Sequence, residues 1–206
     1  KALYVSADSL TQVSGTGRGE PWSKVGGNWQ GDADSDFLIS EDTSGFQLTG
    51  ANGAIEIYDL SGVLLSEIDT NGFQTVYTYT VEGDLQQVAN DYGHTISFTY
   101  INGMVNSVTD SFGVNYRYEY DANDNLVAVV MPDTTPADDL DNPRRIYHYE
   151  DVGYPNHLTG ITDENGDRFA TYSYDVDGKA ITTEHATTTN AVGQERFELD
   201  YQGGAQ

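Results

Sequence analysis

The chain has 206 residues, with 33 Asp and Glu against 9 Lys and Arg, a formal net charge of −24, and no cysteine. The acidic balance argues against nucleic acid as a partner, because phosphate binding needs clustered Lys and Arg, and against an anionic membrane surface. Zero Cys removes disulfides, thiolate metal sites and a cysteine nucleophile, and the longest apolar run, Leu126 to Met131, falls far short of the roughly 18 residues of a membrane span.

The chain begins at Lys1 without an initiator Met or a signal-like segment, as a piece of a larger protein would. Residues 1–54 read as a β-rich N-terminal cap. They hold both tryptophans, Trp22 in Glu20-Pro21-Trp22 and Trp29 in Gly27-Asn28-Trp29, and short strands at Phe37-Leu38-Ile39 and Phe46-Gln47-Leu48. A cap is expected to cover the first edge of a repeat array, because terminal repeats otherwise leave one open.

Residues 55–185 hold an internal repeat of about six units. Tyr58-Asp59-Leu60-Ser61-Gly62 is followed by Tyr79-Thr80-Val81-Glu82-Gly83, Tyr100-Ile101-Asn102-Gly103, Tyr120-Asp121-Ala122-Asn123-Asp124, Tyr149-Glu150-Asp151-Val152-Gly153 and Tyr174-Asp175-Val176-Asp177-Gly178. The tyrosines are 21, 21, 20, 29 and 25 residues apart, the long spacings reflecting insertions at Pro132 to Arg144 and Tyr154 to His157. A second turn falls mid-repeat, at Asp69-Thr70-Asn71-Gly72, Asn90-Asp91-Tyr92-Gly93, Asp110-Ser111-Phe112-Gly113 and Asp163-Glu164-Asn165-Gly166. Gly62, Gly72, Gly83, Gly93, Gly113, Gly166 and Gly178 supply the positive-φ positions of tight hairpins. Residues 186–206 fit the repeat poorly and read as a weak final unit or a tail.

Period-two alternation after each mid-repeat Gly places one set of side chains on one face. Phe73, Thr75, Tyr77 and Tyr79 form such a set, as do Ile96, Phe98 and Tyr100, and Val114, Tyr116, Tyr118 and Tyr120. Stacked strands would make an aromatic ladder from Tyr58, Tyr79, Tyr100, Tyr118, Tyr120, Tyr149 and Tyr174, with that face as core. The opposite face, with Thr78, Ser97, Arg117 and Glu119, would meet water. Leu85 and Val88, and Leu126 and Val129, are three apart; for both to face inward, each strand needs a bulge. The expected fold is all-β, a repetitive antiparallel sheet of hairpins.

The pattern Tyr-Asp-x-x-Gly-x-Leu-x-x-Ile-x-Asp-x-x-Gly, ending in Tyr-x-Tyr-Asp, resembles the YD repeat of Rhs proteins. Leu158-Thr159-Gly160-Ile161-Thr162-Asp163-Glu164-Asn165-Gly166 and Tyr174-Asp175-Val176-Asp177-Gly178 carry it most clearly, within a likeness over residues 55–185. The resemblance implies a sheet that coils into a shell, in large bacterial secreted or cell-surface proteins that include toxins. About six units are too few to close a cage, so the reading is a curled or partial shell. Its partners would be other repeats or domains of a parent chain, with edge-to-edge self-association. The implied role is a non-catalytic structural module: scaffold, spacer or partial shell.

Candidate chemistry is sparse. Asp32, Asp34 and Asp36, and Asp163, Asn165 and Asp167, have the alternate-oxygen spacing of calcium loops. Phe37 and Arg168 replace the glycine such loops carry at position six, and β-turns already require Asp and Asn at these places. The turn reading therefore takes precedence, and no other cofactor is indicated. Asp138, Asp139 and Asp141 read as a solvated acidic loop. His94, His148, His157 and His185 lie near no nucleophile elbow. The alternative function is a glycan- or protein-binding module using Trp22, Trp29, Tyr92 and Phe112 with the acidic turn loops.

Overall fold

A computed structural model of the chain describes residues 1–14, 17–33, 35–133, 141–185 and 194–201. Asp34, Asp138, Asp139 and the end of the expected tail lie outside the described residues. Every described element is a strand, and the chain divides into two compact units, Lys1–Phe98 and Thr99–Gln206.

In the first unit, β1 (Ala2–Val5), β2 (Ser9–Val13), β3 (Gly19–Val25) and β4 (Asn28–Gly31) pair antiparallel in chain order. A second antiparallel sheet comes next, also in chain order. It contains β5 (Phe37–Glu41), β6 (Gly45–Gly50), β7 (Ile55–Asp59), β8 (Leu64–Ile68), β9 (Gln74–Tyr79), β10 (Leu85–Asn90) and β11 (Thr95–Ile101), the last running across the division between units. The second unit continues with β12 (Met104–Asp110), β13 (Asn115–Tyr120), β14 (Leu126–Val130), β15 (Arg144–His148), β16 (Gly160–Thr162), β17 (Arg168–Tyr174), β18 (Ala180–His185) and β19 (Gln194–Glu198). These too are antiparallel neighbours in chain order. No strand pairs back to close a barrel among the described residues. The all-β hairpin expectation holds.

The bulges lie where the three-residue spacing placed them. Tyr58 pairs with Leu64 while Ile57 pairs with Ser66, so Leu65 is extra. Gln86, Val127 and Ile181 are skipped in the same way opposite Tyr79, Tyr120 and Tyr174. As a result Leu85 and Val88 lie opposite Tyr79 and Tyr77, on one face. Each bulge also adds local twist at the same place in its repeat.

The tyrosine face is a true core only in the first unit. There Leu3, Leu10 and Trp22 from β1–β3 meet Phe46, Leu48, Tyr58 and Leu64, with Tyr77 packed alongside. Fully burying Leu10 or Leu48 contributes about 1.5–3 kcal/mol each. The four-stranded sheet thus covers a face, whereas the cap was expected over the edge, which β5 occupies instead.

The second unit corrects the expectation of one core face and one wet face. Val114 and Tyr116, on the tyrosine face, are 40% and 39% exposed, while Ala128 and Val130, on the other face, are 3% and 1% exposed. The reason is lateral. Val130 lies directly between Arg117 and Arg144, and Ala128 between Glu119 and Ile146. Long side chains on adjacent strands lay their stems over a short residue between them. Cross-strand polar pairs line that face, including Thr99 with Ser107 at 2.7 Å and Ser173 with Thr182 at 2.5 Å.

One turn glycine carries a contact beyond its φ. The Leu3 N–H donates to the Gly62 carbonyl at 3.3 Å, and a Cβ on Gly62 would lie 1.8 Å from the Leu3 carbonyl oxygen. A Cβ on Gly93 would meet nothing within 4 Å. Both have positive φ, +83° and +79°, so both substitutions incur the left-handed strain. We therefore expect Gly62→Ala to lower the melting temperature well beyond Gly93→Ala, because only the first forces β1 off the turn. Equal shifts in a thermal melt would refute the docking of β1 on this turn.

Candidate functional site: the repeated turn and its tyrosine

Seven turns share one construction. The Oδ1 atoms of Asp59, Asp69, Asn90, Asp110, Asp121, Asp163 and Asp175 each accept the backbone N–H two and four residues on, at 2.8–3.1 Å. The same residue exchanges backbone bonds with the turn, as where Asp69 N–H donates to Phe73 O at 2.9 Å and Gly72 N–H to Asp69 O at 3.0 Å. Asx side chains do this because their oxygen reaches N–H groups that a hairpin leaves without a ladder partner. The seven expected turn glycines have φ between +77° and +94°, and Asp124 takes the equivalent position at +62°. These hydrogen bonds hold the Asp69, Asp121 and Asp163 carboxyls below the ordinary aspartate value, led at Asp69 by the Phe73 N–H, at Asp121 by the Asn125 side chain and at Asp163 by the Asp167 N–H.

The tyrosine that precedes each such turn has a recurring partner of its own. Tyr79 donates its hydroxyl to Leu64 O at 2.7 Å, Tyr120 to Val105 O at 2.9 Å, Tyr149 to Leu126 O at 3.2 Å and Tyr174 to Leu158 O at 2.7 Å. The acceptor lies 15 or 16 residues upstream, or 23 where the Pro132 to Arg144 insertion intervenes. Each phenol therefore ties one hairpin to the one before it. Burial pushes all four hydroxyls above their ordinary pKa. Tyr100 and Tyr118 are half-buried.

Residues 102–136, which contain the Asp110 turn, β13 with Tyr120, and the Asp121 turn, match the RHS Repeat family. This chain carries the RHS repeat. No relative matches it among curated proteins. Solved structures share its fold at low identity. The Photorhabdus luminescens Tc holotoxin pore is 18% identical over 86% of this chain and 11% of that one, with a TM-score of 0.53. TcdB2-TccC3 is 19% identical over 91% of this chain and 12% of that one, at 0.53, and TcdB2-TccC3-Cdc42 is 16% identical over 92% and 12%, also at 0.53. The RHS-repeat chain thus spans 11–12% of the length of the chains it matches.

At Tyr58, the first tyrosine of the RHS array, the hydroxyl instead donates to Glu56 at 2.7 Å, inside the covered core. Glu56, 6% exposed, also accepts from Lys1 Nζ at 2.6 Å and Gln12 Nε2 at 3.4 Å. Glu67 accepts from Lys1 and from the Tyr77 hydroxyl. Burial pushes the Glu67 carboxyl up, but the Lys1 ammonium and the Tyr77 hydroxyl outweigh it, leaving it below the ordinary value. Sequence reasoning missed this network. Its one signal was Glu67 standing where the repeat has an apolar residue.

The four aromatics with a possible binding role separate. Trp22 is 4% exposed and belongs to the core, so it faces no ligand. Trp29 donates Nε1 to Glu41 at 2.9 Å, with Lys24 Nζ 5.1 Å from its ring centroid and Phe46 edge-on at 6.2 Å. Tyr92, 64% exposed, leans on Phe73 with centroids 5.1 Å apart. Phe112 is 76% exposed.

Of the calcium candidates, Asp163 already serves the N–H groups of Asn165 and Asp167, and Asp32 and Asp36 are exposed. Among the described residues no cluster of three or more His, Asp or Glu could hold a metal ion. His148 Nε2 lies 2.7 Å from Thr162 Oγ1, but the Glu150 carboxylate beyond it is held by Arg168 at 3.0 and 3.3 Å. Burial, then the Arg168 charge, pushes the His148 imidazole below its ordinary pKa.

The phenol tie and the turn carboxylates can each be tested. Tyr120→Phe removes one hydroxyl and leaves Val105 O without it, which should cost about 1 kcal/mol in chemical denaturation; no change would mean that the phenol is not a tie. Depressed aspartate pKa values contribute stability that is present above the ordinary value of 3.8 and lost as pH falls through the lower folded values. Replacing Asp69, Asp121 and Asp163 with Asn, the residue that performs the same task at position 90, should flatten the loss of thermal stability between about pH 4 and pH 2. An acid limb as steep as that of the wild type would show that these turns do not generate it.

Proposed function

We propose that this chain is a non-catalytic structural module of a larger bacterial RHS-repeat protein, secreted or at the cell surface, acting as a scaffold or as part of an encapsulating wall. The observation that carries this reading is that the repeat uses its own reactive-looking groups internally. Turn carboxylates cap backbone N–H groups, and phenols tie hairpin to hairpin. The fold shared with Tc toxin structures, of which the chain spans a small part, supports the same role.

Bulges at one place in each repeat supply twist of one hand, which supports a sheet that curls into a partial shell. The open strands explain how such a module joins others. β5 pairs only with β6, and β19 only with β18, among the described residues, so each offers a row of ladder groups to a neighbouring repeat. Leu38 on β5 is 76% exposed and adds an apolar contact there. The charge of −24 opposes association of identical copies, and salt relieves it, with a Debye length of about 10 Å at 0.1 M.

Sedimentation velocity across a salt series tests the joining role. Reversible association should rise with protein and salt concentration and fall in Leu38→Lys. A monomer under all conditions would count against edges as the joining surface.

A further inference from the structure

We propose that a cavity beside Phe112 in the second unit binds a neutral saccharide. This goes beyond the scaffold reading and does not depend on it. The cavity has a volume of about 440 Å³ and is lined by Phe112, Val114, Arg117, Pro132, Asp133 and Asn142, among others. That volume lies within the roughly 300–1,000 Å³ of small-ligand sites.

Two observations point to a ligand rather than to packing. The Asn142 side-chain oxygen is out of solvent and accepts no hydrogen bond among the described residues, a state that buried polar groups seldom keep. It calls for a donor that arrives from outside. The Phe112 ring is 76% exposed, yet its backbone is fixed. The Asp110 carboxylate accepts the N–H groups of Phe112 and Val114, both at 2.9 Å. On the other wall, Met131 N–H donates to Pro143 O at 2.9 Å, which closes the stem that carries Pro132 and Asn142. The ring and the orphaned acceptor are therefore presented by two braced elements, so binding would order little of the chain.

The lining selects the ligand class. Arg117 and Asp133 contribute one charge of each sign, which favours neither a cation nor an anion, and the −24 charge of the chain repels anions at long range. A pyranose supplies what remains: hydroxyls that donate to Asn142 and accept from Arg117, and a C–H face for the Phe112 ring. Trp29 offers no comparable stacking surface, because Lys24 lies over its ring and Phe46 meets it edge-on.

The test is an array of neutral malto-, cello-, xylo- and N-acetylated chito-oligosaccharides probed with the whole chain, followed by calorimetric titration of any hit. Phe112→Ala and Phe112→Leu should each weaken binding about tenfold or more, and Asn142→Ala should weaken it severalfold. Tyr92→Ala, on the equivalent residue of another turn, should leave it unchanged. Melting temperatures near the wild-type value would show that the Phe112 variants remain folded. Binding of none of these sugars at millimolar concentration, binding indifferent to Phe112 and Asn142, or binding of acidic sugars alone would each overturn the proposal. The sedimentation behaviour of the scaffold is read separately, so either idea can fail without the other.

Discussion

A hairpin that reverses within five residues strands backbone N–H groups at its tip, and this chain meets that problem again and again with one solution. A single oxygen on the first turn residue takes two of those N–H groups, and a left-handed residue three places on lets the strands resume. Everything else in the repeat is arranged around this element. It fixes the pairing on both sides, so a slip of one residue would exchange the two faces. The excess of acid over base stems from it in large part: six of the seven first turn residues are aspartates, and their carboxylates serve a local geometric need.

With the turns fixed, the second problem is a sheet without a second layer. In the first unit the four-stranded sheet supplies one, and Tyr58 and Leu48 become inaccessible. Elsewhere stability has to come from within the sheet. Stems of Arg and Glu shelter Val130 and Ala128 from the side, and tyrosine hydroxyls reach the carbonyls of the preceding hairpin. Nearest-neighbour ties of this kind suit an array, because each hairpin depends only on those beside it.

Much of this was legible in the residues. The period, the turn glycines, the strands and even the bulges come from spacing alone, since Leu85 and Val88 can share a face in no other way. The faces were less legible. Alternation separates two sets of side chains, but which set is buried depends on whether another layer covers it, and that is a long-range fact. The buried Glu56 network was hidden for the same reason, because its partners Lys1 and Gln12 come from the covering sheet and the residue just before it. Trp22 likewise looked like a rim aromatic until β3 placed it inside. The Phe112 cavity needed the stem of an insertion to be folded beside a turn, and no local pattern encodes that.

The contact between Leu3 and Gly62 has a consequence for how such arrays evolve. Among the repeated turn glycines, Gly62 is the one whose missing side chain makes room for backbone from another layer, whereas Gly72, Gly83, Gly93, Gly113 and Gly166 border open space. The first turn is thus marked as an origin, and the later ones are interchangeable. Duplication or deletion of hairpins downstream would leave the junction with the four-stranded sheet intact. The array has a defined beginning and a freely adjustable length.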